Sequence, residues 1–251
     1  MSIDINCDMG EGCADDAELM KYISSTNVAC GFHAGNRETM LRTVELATEN
    51  NVAVGAHPGY RDRENFGRTN MQIPPKEVYA IVTEQIAALD DVARSRDTTL
   101  AHVKPHGALY NQAAKNAELA AAIAQAVRDF DDGLILYGLS GSVSITEAEK
   151  LGLKTANEVF ADRTYQTDAS LTPRTMPNAL INDPASSATQ VLDMIKYERV
   201  KSTDGIMVKV AADTVCIHGD GANAVEIART IRKTLSDAGI EVVAPFVAKP
   251  G

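Results

Sequence analysis

Short apolar runs recur along the chain, most stopped by Gly or Pro and most followed by a stretch of helical spacing. The strand-like runs lie at residues 3–7, 27–30, 52–56, 100–106, 134–137, 155–160 and 214–218. Helical periodicity follows at 37–49, 78–92, 118–130, 185–198 and 224–238, with shorter pieces after the first and fifth runs. Strand, loop and helix repeated about seven times predict parallel strands covered by helices. Polar residues follow most of the runs rather than one of them. That pattern favours closure into a β/α barrel over an open, doubly wound sheet. A chain of 251 residues suits one such barrel over 1–251. The expected fold is α/β, a (β/α) barrel with about seven parallel strands. Residues 60–70 and 165–183 read as long polar loops, 205–210 as a hairpin arm and 240–243 as a terminal strand or tail.

Composition narrows the partners. A formal net charge of −10 argues against nucleic acid and anionic membranes. Trp is absent and aromatics are few, so a base-stacking surface is not expected. No apolar run approaches a membrane span, and Met1-Ser-Ile-Asp leads into a strand without a basic segment. The four cysteines form no CxxC pair. Three of them lie in or beside apolar runs, which reads as buried free thiols in a reducing cytoplasm.

The chemistry gathers where the runs stop. His33, His57, His106 and His218 each end an apolar run beside Gly or Pro, and His102 lies inside the fourth run. Asp8 and Glu11 follow the first run, Asp162 and Arg163 the sixth, Asp220 the seventh. In parallel barrels the C-terminal strand ends meet at one mouth. The expected site therefore joins Asp8, Glu11, His33, His57, Lys104, His106, Asp162, Arg163, His218 and Asp220. Alone, each has an ordinary structural role as a cap, an ion pair or a hydrogen-bonded core histidine. Together they point to a polar active site. Within 100–106, alternation sets His102, Lys104 and His106 on one face. His102 lies deepest, which suits a supporting residue.

Two chemistries fit this set. One is metal-assisted hydrolysis, with Asp8, His33 and His57 as candidate ligands of a divalent ion. The other is metal-free general acid/base work, with His or carboxylate activating water and Lys104 against an oxyanion. No GxxxxGK[ST] motif is present, so no P-loop binds ATP. Gly138-Leu-Ser-Gly141 and Gly219-Asp-Gly221 are short glycine turns that could face a phosphate.

Six motifs in order carry a resemblance: Asp4-Ile-Asn-Cys-Asp-Met-Gly-Glu-Gly12, Asn27-Val-Ala-Cys-Gly-Phe-His-Ala-Gly35, Gly55-Ala-His-Pro-Gly59, His102-Val-Lys-Pro-His-Gly-Ala-Leu-Tyr-Asn111, Glu158-Val-Phe-Ala-Asp-Arg163 and His218-Gly-Asp-Gly221. The chain resembles the LamB/YcsF family, the A component of the bacterial ATP-dependent 5-oxoprolinase. The resemblance implies a seven-stranded barrel related to glycoside hydrolase/deacetylase barrels. It implies cleavage of the lactam of 5-oxo-L-proline to L-glutamate with ATP hydrolysis, together with subunits B and C, which would handle most of the ATP. On that reading the catalytic candidates are Asp8, His57, Lys104, His106, Asp162 and His218. Glu11, Asn6, Arg163, Gly219 and Asp220 are candidates for substrate or phosphate binding. The alternative is a metal-dependent deacetylase or amidohydrolase acting without ATP. The chain departs from the family pattern in a short loop at residues 10–15, in Asn36 for the usual Asp, and in Ala169 for the usual Gly.

Overall fold

Strand β1 (Ser2–Met9) shows how the barrel is made. Its odd residues Ile3, Ile5, Cys7 and Met9 join the apolar core, while Asp4, Asn6 and Asp8 bond to other strands. Successive side chains of a strand point to opposite faces, so one face meets the helices and the other meets the lumen. The computed structural model describes residues 1–221 and 223–245.

Along the chain follow α1 (Asp16–Leu19), β2 (Ser25–Ala29), α2 (Arg37–Glu49) and β3 (Ala53–His57). Then come α3 (Pro75–Arg94), β4 (Leu100–Val103), α4 (Gly107–Ala113), α5 (Ala117–Phe130), β5 (Ile135–Leu139), α6 (Val143–Lys150) and β6 (Lys154–Phe160). The last elements are α7 (Pro184–Tyr197), β7 (Arg199–Lys201), β8 (Met207–Lys209), β9 (Thr214–Ile217), α8 (Ala224–Asp237) and β10 (Glu241–Val242). Strands β1 to β6 pair in sequence, β9 follows β6, and β9 pairs back with β1. Every one of these ladders is parallel. The result is the closed seven-stranded barrel that the alternation of runs predicts. β10 adds to the N-terminal end of β1, and β7 with β8 forms a separate antiparallel hairpin.

Helix starts follow local chemistry. Asn36 accepts from the backbone N–H of Thr39, whose hydroxyl answers the Asn36 N–H, a reciprocal cap. Asn116 and Asp183 cap α5 and α7, and Pro75 and Pro184 stand in the first turn, where no N–H is needed. Among the described residues no helix is long and apolar enough to cross a membrane.

Three local readings change. The fourth strand ends at Val103, not at residue 106, because Pro105 has no N–H for the ladder. Lys104 and His106 nonetheless keep backbone bonds to Ala56 O and Pro58 O, at 2.9 and 2.8 Å, so both still line up along β3. Helix α4 follows at once, a short turn of helix that its mixed sequence hides. The first helix is one turn, ending at Leu19 rather than running to residue 23.

Ala169 lies in the left-handed region at φ 65°. That conformation costs an L-residue roughly 1–2 kcal/mol, whereas removing a Cβ costs about 0.4–1 kcal/mol through the unfolded chain. Ala169→Gly is therefore expected to stabilise the protein by about 0.5–1 kcal/mol in denaturant unfolding. A destabilised variant would show that the side chain's packing outweighs the backbone.

Candidate active site

The lumen is polar, and it is layered by the two-residue period of the strands. In the lowest layer Asp4 accepts from Ser24, Ser25, Tyr137 and Thr214 at 2.5–3.0 Å. Burial raises its pKa, and the four hydroxyls partly oppose this. One layer up, Asn6 donates to Glu158 and Thr214 and accepts from Asn27 and Lys104. His102 donates Nε2–H to Asn27 Oδ1 at 2.7 Å and stacks on Tyr137. Burial and the nearby Lys104 charge push the His102 pKa down to about 3, so it is neutral. Gly55 is required here, because a Cβ at that position would lie 2.1 Å from the His102 ring.

Lys104 occupies the centre of the lumen. Its Nζ lies 2.9 Å from Asp8 Oδ1, 2.8 Å from Glu158 Oε1, 3.1 Å from Asn6 Oδ1 and 3.1 Å from Cys216 Sγ. Burial opposes its charge, but Asp8, Cys216 and Glu158 outweigh burial and hold its pKa well above the usual lysine value. Asp8 shows the converse. Burial disfavours its charge, yet His57 and Lys104 hold its pKa well below the usual carboxylate range.

Above Lys104, Asp8, Glu11, His33, His57 and His106 meet at the C-terminal ends of β1, β2, β3 and β4. Glu11 Oε1 lies 2.9 Å from His33 Nε2, 3.3 Å from His106 Nδ1 and 3.7 Å from His57 Nε2. His57 Nε2 and His106 Nδ1 are 2.9 Å apart. The far nitrogens of these two rings face backbone carbonyls: His57 Nδ1 to Lys104 O at 2.7 Å, His106 Nε2 to Phe66 O at 2.9 Å. His33 stacks flat on His106 at 3.8 Å. Burial, with the His57 charge, pushes His33 down to about 2 and holds His106 well below its usual value. For His57 burial works against the cation, and Asp8 overrides it, raising the pKa. Glu11 is raised by burial and by the Asp8 charge.

Across the mouth stands a second pair. His218 Nδ1 lies 2.9 and 3.0 Å from the two Asp162 oxygens, and its backbone N–H donates to Asp162 Oδ2 at 3.1 Å. Burial disfavours the Asp162 charge, but His218 holds its pKa below the usual value. An ionised carboxylate only accepts, so Nδ1 carries a hydrogen, and the neutral ring would have its lone pair on Nε2. The two groups share a cavity of about 890 Å³ lined by Asp8, Glu11, His57, Lys104, His106, Arg163, His218, Gly219 and Asp220, among others.

The placements refine the sequence-based set. Asn6 is fully buried with both amide atoms engaged below the mouth, where it supports Lys104. Lys104 has its ammonium enclosed by four partners, which fixes Asp8 and Glu158 rather than presenting a free cation. Arg163 reaches the cavity, but it donates to Thr172 O and Ala179 O and so pins the 165–183 segment. Of the metal candidates Asp8, His33 and His57, the two histidines converge with Glu11 and His106, while Asp8 lies 3.4 Å from His57 Nε2 and also converges with Cys216 and His218. Asp220 bridges Arg68 and Arg174 at 2.9 and 3.5 Å on the rim. Arg68, Arg174, Glu158, Asn27 and Cys216 were not among the sequence candidates. The shared even phase of 4/6/8, 156/158/160 and 214/216/218 carries the signal for Glu158 and Cys216. The two arginines sit in irregular loops that no periodicity marks.

A model of the LamB/YcsF family matches residues 3–249. Among solved structures, the crystal structure of a lactam utilization protein from Thermus thermophilus is 45% identical, with a TM-score of 0.91 over 97% of this chain and 100% of that one. A family 4 carbohydrate esterase from Streptomyces lividans shares the fold at 12% identity and a TM-score of 0.55, covering 96% of this chain and 91% of that one. A polysaccharide deacetylase from Bacillus cereus does so at 12% identity and 0.51, over 100% and 96%. The family match spans nearly the whole sequence, and the chain belongs to the LamB/YcsF family.

Proposed function

We propose that this chain is the A component of an ATP-dependent 5-oxoprolinase, which opens the lactam of 5-oxo-L-proline to L-glutamate with ATP hydrolysis. The observation that carries this reading is the pairing of the Asp162–His218 dyad with the Asp8/Glu11/His57/His106 cluster across one cavity, in a chain so similar to a lactam utilization protein. Subunits B and C are its partners and contribute most of the ATP-handling. The setting is the cytoplasm, where Cys7, Cys30 and Cys216 stay reduced.

The chemistry explains the need for ATP. A five-membered lactam is an unstrained amide, and water does not open it readily at neutral pH. Transfer of the ATP γ-phosphoryl to the lactam oxygen makes the ring carbon electrophilic; water adds there, the C–N bond breaks as the nitrogen takes a proton, and the acyl phosphate so formed is hydrolysed to glutamate and phosphate. His218, held by Asp162, takes the proton of the attacking water at Nε2. Arg68 and Arg174 on the rim, oriented by Asp220, balance phosphoryl charge. Lys104 fixes the ionised Asp8 beneath the reacting centre. A cavity of this size is ordinary for a small-molecule site, and it leaves room for a phosphoryl group beside the ring.

The test is reconstitution. The purified chain, incubated with 5-oxoproline and ATP, should give little glutamate until B and C are added. Full turnover by the chain alone would sink the division of labour, and no turnover with all three would sink the activity itself. A second reading, a metal-dependent amidohydrolase or deacetylase acting without ATP, is favoured by the convergence of Glu11, His57 and His106. Deacetylation or amide hydrolysis without ATP, abolished by chelation, would select it.

A further inference from the structure

The mouth of the barrel holds two clusters of ligand-type atoms, and they differ in one respect. In the first, Asp8 and Cys216 already surround a cation, the ammonium of Lys104. In the second, Glu11, His57 and His106 aim lone pairs at one another.

The tautomers follow from the carbonyls. Lys104 O and Phe66 O can only accept. His57 Nδ1 and His106 Nε2 therefore carry hydrogens, at 2.7 and 2.9 Å from those oxygens. In the neutral rings this leaves lone pairs on His57 Nε2 and His106 Nδ1. These two atoms face each other at 2.9 Å, and Glu11 Oε1 adds a third acceptor at 3.3 and 3.7 Å. A proton on His57 Nε2, with Asp8 Oδ2 3.4 Å away, can bridge these acceptors in the metal-free protein, and a metal cation among the three would take that proton's place. The three separations average near the ~3.3 Å that separates ligand atoms around a tetrahedral ion with bonds of ~2.0–2.1 Å.

His33 differs from the other two histidines. Its Nδ1 is buried without a hydrogen-bond partner and abuts Gly59, where a Cβ would lie 2.8 Å away. The ring hydrogen is better placed on Nε2, donating to Glu11 Oε1 at 2.9 Å. His57 and His106 each have the outer hydrogen-bond partner that metal-bound histidines keep, and His33 does not. His33 is also absent from the cavity wall, which Glu11, His57 and His106 all line.

We infer that Glu11, His57 Nε2 and His106 Nδ1 form a three-ligand site for a divalent transition-metal ion of the zinc type, with its open position toward the cavity and His33 orienting Glu11. Two imidazoles and one carboxylate suit such an ion better than magnesium or calcium, which prefer oxygen. Three protein ligands with one open side are the pattern of a catalytic rather than a structural site. The assignment goes beyond the lactam reading and does not depend on it, since metal binding is measured without substrate or partner subunits.

The full-length chain is stripped with a chelator, dialysed against Zn²⁺, desalted and analysed for metal, and Co²⁺ is titrated in parallel with its visible absorption recorded. The expected result is one zinc per chain, a raised melting temperature, and cobalt bands of a low-coordinate, imidazole-bound ion. Glu11→Gln, His57→Ala and His106→Ala should each weaken binding by more than the ~10–100-fold that loss of an outer partner costs. His33→Ala should fall within that range. Cys216→Ser and His218→Ala should bind as the native chain does. Zinc lost on desalting of the native chain overturns the assignment. So does loss in Cys216→Ser and His218→Ala with retention in Glu11→Gln and His106→Ala. Glu11→Gln preserves side-chain volume, and the cobalt spectrum of the native chain reports its ligands with no substitution at all.

Discussion

His218→Ala is expected to lower kcat of the assembled 5-oxoprolinase by about 10²–10⁴-fold, the range for a positioned general base. KM should change little, because the ring acts on water and not on the lactam. The argument rests on direction as much as on distance. Asp162 grips Nδ1 with both oxygens and holds the backbone N–H of the same residue. The ring therefore has one orientation, with Nε2 toward the cavity. Phe160 packs beside it at 5.5 Å between centroids and limits its rotation. Asp162→Asn should lower the rate by a similar factor while leaving the fold intact, since an amide can donate to Nδ1 and turn the ring to the wrong tautomer. The double variant should be no slower than the worse single one, as groups acting as a unit are not additive. Steady-state rates of glutamate formation by the three-component mixture measure all three variants. A rate for His218→Ala within a few-fold of native would remove the dyad from the chemistry.

The barrel was legible in the sequence because its periods are regular. Apolar runs of strand length ended by Gly or Pro leave few alternatives to parallel strands, and each His at a run's end marks the mouth. Depth was less legible. Asp4, Asn6 and Asp8 share one strand face, so alternation alone places all three inward, yet only Asp8 reaches the cavity. Two residues of a strand rise roughly 6.6 Å, which separates a supporting amide from a reacting carboxylate. The convergence of Glu11 with the imidazoles was illegible for a related reason. Glu11 lies beyond the strand, in a loop that turns back over His33, and nothing in the spacing of Asp8 and Glu11 says which of them meets the imidazoles. Tautomers are further from the sequence still. They are set by Lys104 O and Phe66 O, backbone atoms that any residue would supply.

The lumen makes the largest stability prediction. Among the described residues Lys104 is the one cation paired with both Asp8 and Glu158, and all three are buried. Removing one partner of a buried ion pair costs about 3–5 kcal/mol, because it strands an uncompensated charge. Lys104→Met keeps the apolar stem and deletes only the ammonium, so it isolates that contribution. For a chain of this size the loss corresponds to a fall in Tm of roughly 6–20 °C. The same logic predicts a rescue. Adding Asp8→Asn and Glu158→Gln to Lys104→Met removes the stranded carboxylates, and neutral groups of equal shape retain donors and acceptors for Asn6 and Asn27. The triple variant should therefore recover a large part of the stability. Lys104→Arg should not substitute, since a planar fork of five donors does not fit a site built around a compact ammonium. Urea unfolding of the four proteins checks the order. A Lys104→Met variant within about 1 kcal/mol of native would mean that the ion cluster contributes no more than an exposed pair does.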